Sequence, residues 1–489
     1  MFISSFISTH LDLLAGFLVL SLLAKLIYNR YGHGISHIPG PFLASISDLW
    51  RLYIVWGRRP DIDHVKLHKR HGKLVRLGPN AISVSDPSAI RQIYGLASGF
   101  KKSDFYTVQQ TLAKGRPLFT LFTSTDTKFH AKLRRSVSSA YAMSTLVDMR
   151  FKDQQEPCDF GKWLQFYAFD VIGELTYSKS IEWMLDYASV VGQMPIIDSF
   201  LLKNPIRLFL SRLGLIGSTT PMVTFARQRF SERVDLSTGQ EKSSSRIDAS
   251  STRRDFLSQF LEAHKKDPDF VTSERVLALT VANIFAGSDT TAISLRPVFY
   301  FLLKNPEELE RLMIELDEQK RTRKFRRPDG LVDWEEARDL PVLGAVIKEA
   351  LRIHPAAGLI LERITPPQGV KILDKFIPWG TIIGCNAWTI HRDVSIFGSD
   401  PDKFRPLRWL EASPDQRRLM DNCLFTFGAG SRTCIGKNIS LLEIYKLIPA
   451  LLMRQLELPS EDSDWKLHNA WFVKQSDFFV RFKSRGYSA

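Results

Sequence analysis

The chain has 489 residues, of which 44% are apolar, including 33 phenylalanines, so it is long and apolar enough to bury a sizeable core. Its formal net charge is +14, but the lysines and arginines are spread along the chain and no basic run is interleaved with aromatic residues, which argues against nucleic acid as a partner. A basic surface that faces anionic phospholipid or an acidic protein accounts for the charge.

The first predicted element is an apolar helix near the N-terminus. From Leu11 to Tyr28 only Asp12 and Lys25 are charged, and at ~1.5 Å rise per residue this helix would span about 27 Å, close to the bilayer hydrocarbon core of about 30 Å. Lys25 and Arg30 lie on its C-terminal side, so the positive-inside rule places the rest of the chain in the cytosol. A cleaved signal peptide is the alternative, but its basic residues would lie on the wrong side and no small-residue cleavage site is evident.

The anchor is therefore predicted over residues 1–28, followed by a basic, proline-rich hinge over residues 29–41 and one large domain over residues 42–489. In the hinge, His37-Ile-Pro-Gly-Pro41 combines proline, which fixes φ, with a glycine corner. Leu74–Val84 alternates apolar residues on both sides of Gly-Pro-Asn and predicts a β-hairpin. Long helical patterns dominate afterwards, with Ser237–Arg254 as a mobile loop and Gln319–Arg327 as a solvated charged junction.

A long helix is predicted to begin at Ser273-Glu274 and to continue into Ala286-Gly-Ser-Asp-Thr-Thr291. Glycine inside a helix costs about 1 kcal/mol relative to alanine, so its presence here needs a functional or packing reason. Pro297 is expected to interrupt this helix and to kink it near Ile293.

Two further patterns carry charged residues. Glu-x-x-Arg, which places an acid and a base on one helix face, occurs at Glu308/Arg311, Glu318/Arg321, Glu335/Arg338 and Glu349/Arg352, so most of these are expected to be surface pairs. His391-Arg-Asp393 permits two interpretations, half of a non-haem iron site or a kinase catalytic loop. Gly398 stands where the kinase loop needs an asparagine and no nucleotide-binding glycine loop precedes it, so we reject the kinase loop. We reject the non-haem iron site because the motif around Cys434 already accounts for an iron site.

The four cysteines, at positions 158, 385, 423 and 434, form no CxxC pair or other zinc-like spacing. So few cysteines in so long a chain argue against a disulfide framework and fit a reducing compartment. Cys434 lies in Phe427-Gly-Ala-Gly-Ser-Arg-Thr-Cys-Ile-Gly436, and Ile439–Ile448 reads as a following helix. A helix N-terminus and Arg432 would both lower the pKa of this thiol, which suits a thiolate that ligates iron. The alternative is a free core cysteine beside a turn.

This ten-residue stretch fits the pattern F-x-x-G-x-R-x-C-x-G, and with it the chain resembles the cytochrome P450 family of haem-thiolate monooxygenases. The resemblance implies a mainly α fold with small β-sheets, one haem-binding domain and one preceding transmembrane helix. The implied cofactor is haem b (iron protoporphyrin IX) with Cys434 as axial ligand. Further cofactor contacts are implied for Phe427, Gly428, Arg432, Gly436, His130, Arg134 and Arg363.

Other site residues also follow from the resemblance. Asp289 and Thr290 match the acid–alcohol pair that relays protons for dioxygen activation. Glu349 and Arg352 match a buried pair that locks the segment before the cysteine loop, and Arg408 completes this network because Leu407 replaces the usual glutamate. Asn386–Asp393 matches the family's Asn-x-Trp-x-x-His-Arg-Asp segment. The expected walls of the substrate pocket are Phe122, Phe285, Ala286, Leu359, Ile360 and Phe472.

The implied function is oxidation of an apolar secondary-metabolite intermediate with electrons from NADPH through a flavoprotein reductase, with cytochrome b5 as a second candidate donor. Val75-Arg-Leu-Gly-Pro-Asn, Lys101-Lys-Ser-Asp-Phe-Tyr and His354-Pro-Ala-Ala-Gly-Leu are similar to the fungal, pisatin-demethylase-like branch. The expected location is the endoplasmic reticulum membrane, single-pass, with the catalytic domain on the cytosolic face. The alternatives are a haem-thiolate isomerase or peroxygenase that needs no reductase, and a non-catalytic haem-binding membrane protein.

Overall fold

The computed structural model of the protein describes residues 2–96, 98–113, 116–141, 193–201, 203–213, 215, 227, 231, 256–322, 325, 332–452, 455–458, 460, 462, 464–478 and 480–483. Cys158 and the predicted loop Ser237–Arg254 lie outside these residues, as does most of the charged stretch after Thr322.

Helices dominate the described part of the chain, as predicted. They are α1 (Phe2–Tyr31), α2 (Phe42–Ile46), α3 (Leu49–Trp56), α4 (Pro60–His71), α5 (Ser88–Tyr94), α6 (Phe105–Val108), α7 (Thr127–Val137), α8 (Ile196–Phe200), α9 (Pro205–Arg212), α10 (Phe256–Lys266), α11 (Ser273–Lys304), α12 (Pro306–Arg321), α13 (Trp334–Ala337), α14 (Pro341–Ile353), α15 (Ala387–Ile390), α16 (Val394–Phe397), α17 (Leu407–Glu411), α18 (Pro414–Cys423) and α19 (Lys437–Leu452). Short 3₁₀ turns cover Ser138–Tyr141 and Gly430–Arg432.

The strands are short and form small sheets. They are β1 (Leu74–Gly78), β2 (Ala81–Val84), β3 (Lys101–Lys102), β4 (Leu112–Ala113), β5 (Arg116–Pro117), β6 (Arg363–Ile364), β7 (Val370–Ile372), β8 (Lys375–Ile377), β9 (Ile382–Cys385), β10 (Gln455–Glu457), β11 (Lys466–Ala470), β12 (Phe472–Ser476) and β13 (Arg481–Lys483). The largest sheet has the order β1-β2-β9-β6-β3, and within it only β2 and β9 run parallel. The predicted hairpin is its first pair, with Leu74 opposite Val84.

The core is built around α11. Its C-terminal half packs with α12, α14 and α19, whose buried aliphatic side chains form one continuous cluster, whereas its N-terminal half packs with α7 and α10. A third apolar cluster lies between the five-stranded sheet and α5. The long central helix therefore joins the first two of these clusters and carries the Ala-Gly-Ser-Asp-Thr-Thr segment past the cysteine loop.

The predicted interruption of this helix at Pro297 was wrong, because α11 continues through Pro297 to Lys304. Proline lacks the N–H that would bond the carbonyl of Ile293, four residues earlier. The side-chain Nε2 of Gln475 donates to that carbonyl at 2.9 Å. A side chain from strand β12 thus replaces the missing bond, and the helix tolerates the proline.

The apolar N-terminal helix extends beyond the predicted anchor. It ends at Tyr31, three residues past the predicted boundary at residue 28, and Asp12–Tyr31 is long and apolar enough to cross a membrane. The segment that follows packs against the domain, with Ile35 and Ile38 buried.

Candidate active site

A loop with glycine corners holds Cys434. The Cys434 N–H donates to the carbonyl of Phe427 at 2.9 Å, which closes the loop. Gly428 and Gly430 have φ values of +68° and +66°, in the left-handed region that favours glycine. A Cβ on Gly430 would lie 1.6 Å from the carbonyl oxygen of Tyr94, so no other residue fits there without moving the backbone.

Gly436 differs in its backbone from Gly428 and Gly430. It is not among the glycines with positive φ, but a Cβ on it would lie 3.9 Å from Cys434 Sγ. That distance is an ordinary van der Waals contact, so neither φ nor the packing of the described residues requires glycine at this position. Helix α19 begins at Lys437, so the cysteine does lie beside a helix N-terminus.

The helix N-terminus lowers the pKa of the Cys434 thiol, as predicted, but it is not the largest influence on that pKa. The N–H groups of Gly436 and Lys437 and the charge of Arg134 lower the pKa of Cys434, yet desolvation by the surrounding protein is larger and raises it. The expectation of a lowered pKa is thus not met by the protein groups alone. A coordinating thiol is deprotonated outright by its metal, so iron would supply the remaining stabilisation of the thiolate.

Four basic side chains cluster near the cysteine loop, from four separate elements. Each donates to a neutral backbone carbonyl: Arg134 to Thr433 (2.9 Å), Arg363 to Glu362 (2.8 Å), Arg432 to Ser124 (3.0 Å), and Lys102 to Phe122. Among the residues that the structure describes, none of the four forms an ion pair with a carboxylate. The cluster is therefore positively charged, and within the described part of the chain no ion pair neutralises it.

Burial and mutual repulsion lower the pKa values of basic side chains in this cluster. Burial and then the charge of Arg363 lower the pKa of Arg432 to about 10. Burial, Arg363 and Arg432 bring the pKa of Lys102 well below its usual value. Burying a cation without an anionic partner costs folding free energy. A ligand with two carboxylates would therefore stabilise this arrangement. The two propionates of haem b fit that requirement, and guanidinium groups bind carboxylates through paired donors.

Lys102 is a cofactor-site candidate that sequence reasoning missed. It lies on β3, and its ammonium is 4.1 Å from the Tyr106 ring centre and 4.6 Å from that of Phe122. Strand β3 pairs with β6, which brings Lys102 opposite Arg363. No local pattern marks Lys102, because a pairing between strands more than 250 residues apart places it there.

His130 also faces this cluster. It lies on α7 and is buried, and burial followed by Arg432 and Lys102 lowers its pKa to about 3, so the ring is neutral at physiological pH. A neutral imidazole can still donate one hydrogen bond. His130 would therefore contact a carboxylate as a hydrogen-bond donor rather than as a charge.

A buried carboxylate joins the segment before the cysteine loop to α14. Glu349 and Arg352 are both fully buried, and Arg352 donates to the two Glu349 oxygens at 2.9 and 2.8 Å. Arg408 Nε also donates to Glu349 Oε1 at 2.8 Å, and the Trp409 indole donates to Oε2 at 2.9 Å. With Leu407 in place of an acid, the network contains Arg408 as expected and Trp409 in addition.

His391 forms a second bridge to the cysteine loop. Its Nδ1 lies 2.8 Å from the carbonyl oxygen of Arg352, and the backbone N–H of Phe425 donates to its Nε2 at 2.7 Å. These partners require a neutral ring with the proton on Nδ1. The histidine of the His-Arg-Asp segment is therefore a structural connection between α14 and the start of the cysteine loop.

Because His391 must stay neutral to make these bonds, we expect the fold to lose stability at acidic pH. Burial lowers the pKa of His391 from its usual 6.5 to about 3. Between these two values the unfolded chain binds a proton that the folded chain does not, so the free energy of unfolding decreases as pH falls through this window and is fully retained above it. His64 and His354 are also buried with pKa values of about 3, and they act in the same direction.

Denaturant unfolding at about pH 8 and about pH 5 tests this prediction. Each such histidine changes the free energy of unfolding by up to ~1.4 kcal/mol per pH unit within this window. The denaturant concentration at the unfolding midpoint is therefore expected to be clearly lower at about pH 5 than at about pH 8. Equal midpoints at the two pH values would contradict the neutral, buried state of these rings.

The proton-relay candidates lie in the middle of α11. Thr290 Oγ1 donates to the carbonyl of Ala286 at 2.6 Å, and Ser294 Oγ donates to the carbonyl of Thr290 at 2.8 Å. Ala286 is exposed, so the helix face next to Thr290 is open. The side chains of Asp289 and Phe285 lie outside what the structure describes.

The expected pocket walls separate into two groups. Phe122 and Leu359 belong to a cluster of aromatic side chains around Trp471, whose ring is 5.9 Å from that of Phe122. Phe472 also packs on this cluster. Ile360 instead packs with Val75 and Leu77 of β1, in a separate apolar cluster.

Trp471, Tyr106 and Phe105 were not predicted as pocket residues. The Phe105 and Trp471 rings are stacked with centres 4.3 Å apart, and the Tyr106 ring lies edge-on at 5.6 Å from Trp471. Trp471 has a φ of 73°, which is rare for a bulky residue and places its ring in the cluster rather than in the strand pleat.

Comparison with known proteins agrees with this arrangement. Residues 56–477 match the cytochrome P450 family. A cytochrome P450 monooxygenase of Aspergillus terreus is 41% identical over 453 residues, covering 86% of this chain and 90% of the relative. The cytochrome P450 monooxygenase cicH of Emericella nidulans is 38% identical over 487 residues, covering 92% and 94%. The cytochrome P450 monooxygenase vrtE of Penicillium aethiopicum is 36% identical over 495 residues, covering 94% and 92%.

Proposed function

The chain belongs to the cytochrome P450 family as a monooxygenase similar to fungal members, and from this we propose that it oxidises an apolar secondary-metabolite intermediate with electrons from NADPH. The observation that carries the proposal for this chain is the cluster of Lys102, Arg134, Arg363 and Arg432 beside Cys434, none of which forms an ion pair with a carboxylate of the described residues. The pisatin-demethylase-like branch, suggested by sequence segments, is part of the proposal.

The residues present would hold haem b as follows. Cys434 would ligate the iron, and the four cations with neutral His130 would bind the propionates. Phe427, Gly428 and Gly436 would lie against the ring. When bound, haem supplies the reductive activation of dioxygen and the insertion of one oxygen atom into a C–H bond or double bond, and thiolate donation favours O–O cleavage.

The chain's own residues would select and position the substrate. Phe122, Leu359, Phe472 and the added Trp471 form an aromatic and aliphatic wall that excludes water and favours a flat, apolar ligand. Thr290 and Asp289 would hold and deliver protons from α11. Glu349, Arg352 and Arg408 would fix the segment before the cysteine loop without contacting the substrate.

Electron supply separates this function from its alternatives. We expect a flavoprotein NADPH reductase as the partner, with cytochrome b5 as a second candidate. Purified chain with reductase is expected to consume NADPH faster when its substrate is added. A peroxygenase or isomerase would turn over without reductase, and a non-catalytic haem protein would show no substrate-dependent NADPH consumption.

The proposed location is the endoplasmic reticulum membrane, with residues 1–28 as anchor, 29–41 as hinge and 42–489 as the cytosolic domain. The apolar helix α1 and the basic residues at its C-terminal end support this topology. A glycosylation acceptor fused to the C-terminus is expected to stay unmodified. Its glycosylation would place the domain in the lumen and contradict the proposed topology.

Thr290→Ala is expected to lower the product formed per NADPH several-fold while substrate binding and the haem spectrum stay nearly unchanged. The hydroxyl is proposed to act only in proton delivery, which typically contributes 10²–10⁴-fold to a rate. Without it, reducing equivalents are expected to leave as hydrogen peroxide, so measured peroxide rises.

Thr280→Ala is the matched control for this variant. Thr280 lies on the same helix and its hydroxyl makes the same type of bond, to the carbonyl of Val276 at 3.0 Å. Coupling in this control is expected to equal that of the unmodified chain. Normal coupling in Thr290→Ala as well would place the relay elsewhere.

A further inference from the structure

Trp471 forms the tip of the hairpin between β11 and β12. Ala470 pairs with Phe472 across this tip, so Trp471 is the single residue of the turn, and its φ is 73°. A bulky residue adopts this left-handed backbone only at an energetic cost, and backbone strain of this kind is concentrated at functional sites. The strained turn therefore indicates that the direction of this indole ring matters to the protein.

Buried polar contacts fix the turn in place. The N–H of Gly358 donates to the carbonyl of Trp471 at 2.8 Å, and the N–H of Asn469 donates to the carbonyl of Arg58 at 2.8 Å. The Asn469 side chain is fully buried, and its Nδ2 donates to Asp61 Oδ1 at 3.1 Å. A Cβ on Gly358 would lie 2.1 Å from Asn469 Nδ2, so the two segments are in direct contact. The hairpin tip is therefore held against the segment that leads into the pocket wall.

The indole N–H of Trp471 has no hydrogen-bond acceptor among the residues that the structure describes, although Trp471 is only 2% exposed. Trp388 and Trp409 are buried to a similar degree. Their indole N–H groups donate to the Pro355 carbonyl at 3.0 Å and to Glu349 Oε2 at 2.9 Å, respectively. A buried tryptophan usually finds such a partner, and an unpaired buried donor costs free energy. The unpaired donor of Trp471 therefore needs an explanation.

The nitrogen of this indole borders open space. Gln109 Nε2 and Asn469 Oδ1 are fully enclosed polar atoms without a partner, but the Trp471 nitrogen is not among the enclosed atoms of the described residues. The aromatic cluster around Trp471 also has an open side, because Phe122, whose ring lies edge-on at 5.9 Å from Trp471, is 39% exposed. A ligand in the pocket can therefore reach the indole N–H.

The other buried side chains of this cluster offer a ligand few polar groups. The hydroxyl of Tyr106 accepts a hydrogen bond from Arg363 Nη1 at 3.4 Å, so it faces the basic cluster. The apolar members are Ile54, Val55, Phe105 and Leu359. Ligand pockets are mostly apolar, and a small number of placed polar groups fix the orientation of the ligand. The indole N–H of Trp471 is the group that is available for this purpose.

We propose that the indole N–H of Trp471 donates a hydrogen bond to an acceptor oxygen at the edge of the substrate. The donor lies in the plane of a ring that stacks on Phe105, so it suits an oxygen that lies in the plane of a flat ring system. The substrate class is therefore a flat, largely apolar molecule with a carbonyl oxygen, an aromatic ketone rather than a plain hydrocarbon. This proposal rests on the proposed function and deepens it, because the aromatic cluster must form the wall of the substrate pocket.

The test compares two probes, the ketone 9-fluorenone and the hydrocarbon fluorene, which share one ring system and differ in the carbonyl oxygen. Their dissociation constants are measured on the full haem-loaded chain, by the shift of the Soret band and by equilibrium dialysis. Trp471→Phe keeps an aromatic ring but removes the donor. This variant is expected to bind fluorenone about fivefold more weakly, the net effect of one hydrogen bond, and fluorene less than about twofold more weakly.

Trp465→Phe is the matched control for this variant. The Trp465 ring stacks on that of Tyr300 with centres 3.8 Å apart, in an aromatic group separate from the cluster around Trp471. Both probes are expected to bind this control within about twofold of the unmodified chain. A weakening that is selective for the ketone in Trp465→Phe as well would overturn the proposal, because it would not depend on the donor in the pocket.

A measurement on the unmodified chain does not depend on the folding of any variant. Ultraviolet resonance Raman spectra contain an indole N–H band that responds to hydrogen bonding. This band is expected to shift when fluorenone binds and to stay in place when fluorene binds. Identical spectra with the two bound probes would overturn the proposal.

The possible results separate this proposal from the proposed function. If the unmodified chain binds both probes and Trp471→Phe weakens both equally, or neither, then Trp471 is only part of the pocket wall. The proposal then fails while the apolar pocket stands. If the unmodified chain binds neither probe, the apolar pocket of the proposed function is contradicted, and the role of Trp471 fails with it.

Discussion

Cys434→Ser is expected to abolish the red-shifted Soret band of the ferrous carbon monoxide complex. That band requires a thiolate on the iron, and an alcohol cannot donate charge to the metal as a thiolate does. Cys434 lies in the loop whose backbone closes on Phe427, beside the basic cluster, and its side chain is accessible. The variant is therefore expected to lose both the band and all reductase-dependent turnover.

The other cysteines provide the controls. Cys385 and Cys423 are buried, and burial raises the pKa of the Cys423 thiol to about 11, so neither is poised to ligate a metal. Cys385→Ser, Cys423→Ser and Cys158→Ser are expected to retain the band. An intact band in Cys434→Ser would refute the ligand assignment.

Glu349→Gln is expected to produce the second-largest loss. The substitution keeps the size of the side chain but removes the negative charge that faces Arg352 and Arg408 in a fully buried site. Removing one partner of a buried ion pair costs about 3–5 kcal/mol, because the remaining charge is left uncompensated. That is a large share of a total stability of about 5–15 kcal/mol. Most molecules of this variant are therefore expected to misfold or to lose haem.

Glu318→Gln is the matched control, because it tests the same Glu-x-x-Arg spacing on the protein surface. The Glu318–Arg321 pair has the same 2.8 Å separation, but its side chains are 50% and 74% exposed. Exposed pairs contribute roughly 0–1 kcal/mol, so little change is expected. Thermal unfolding midpoints and the yield of the thiolate band compare the two variants. Equal losses would contradict the structural role assigned to Glu349.

Local sequence signals predicted several of the elements around Cys434. The cysteine loop, the following helix and the hairpin depend on residues close in the chain, such as Gly430, whose position admits only glycine. The family resemblance also selected Glu349/Arg352 among four identical spacings.

Long-range contacts explain what could not be predicted. The helix continues past Pro297 because Gln475, 182 residues from the carbonyl it bonds, replaces the lost donor. Lys102 joins the basic cluster through strand pairing with Arg363, and Ile360 packs with Val75 and Leu77 of strand β1 rather than with the cluster around Trp471. No local pattern contains this information, since each feature depends on which distant elements meet.

The central claim is that this chain inserts one oxygen atom from dioxygen at the expense of NADPH. A strain that lacks the gene is expected to accumulate the substrate. This metabolite is incubated with purified chain, reductase, NADPH and isotopically labelled dioxygen, and the mass of the product is measured by mass spectrometry. We expect one labelled oxygen atom in the product, formed only when both NADPH and reductase are present. Product without label, or label incorporation that is independent of NADPH, would contradict the account.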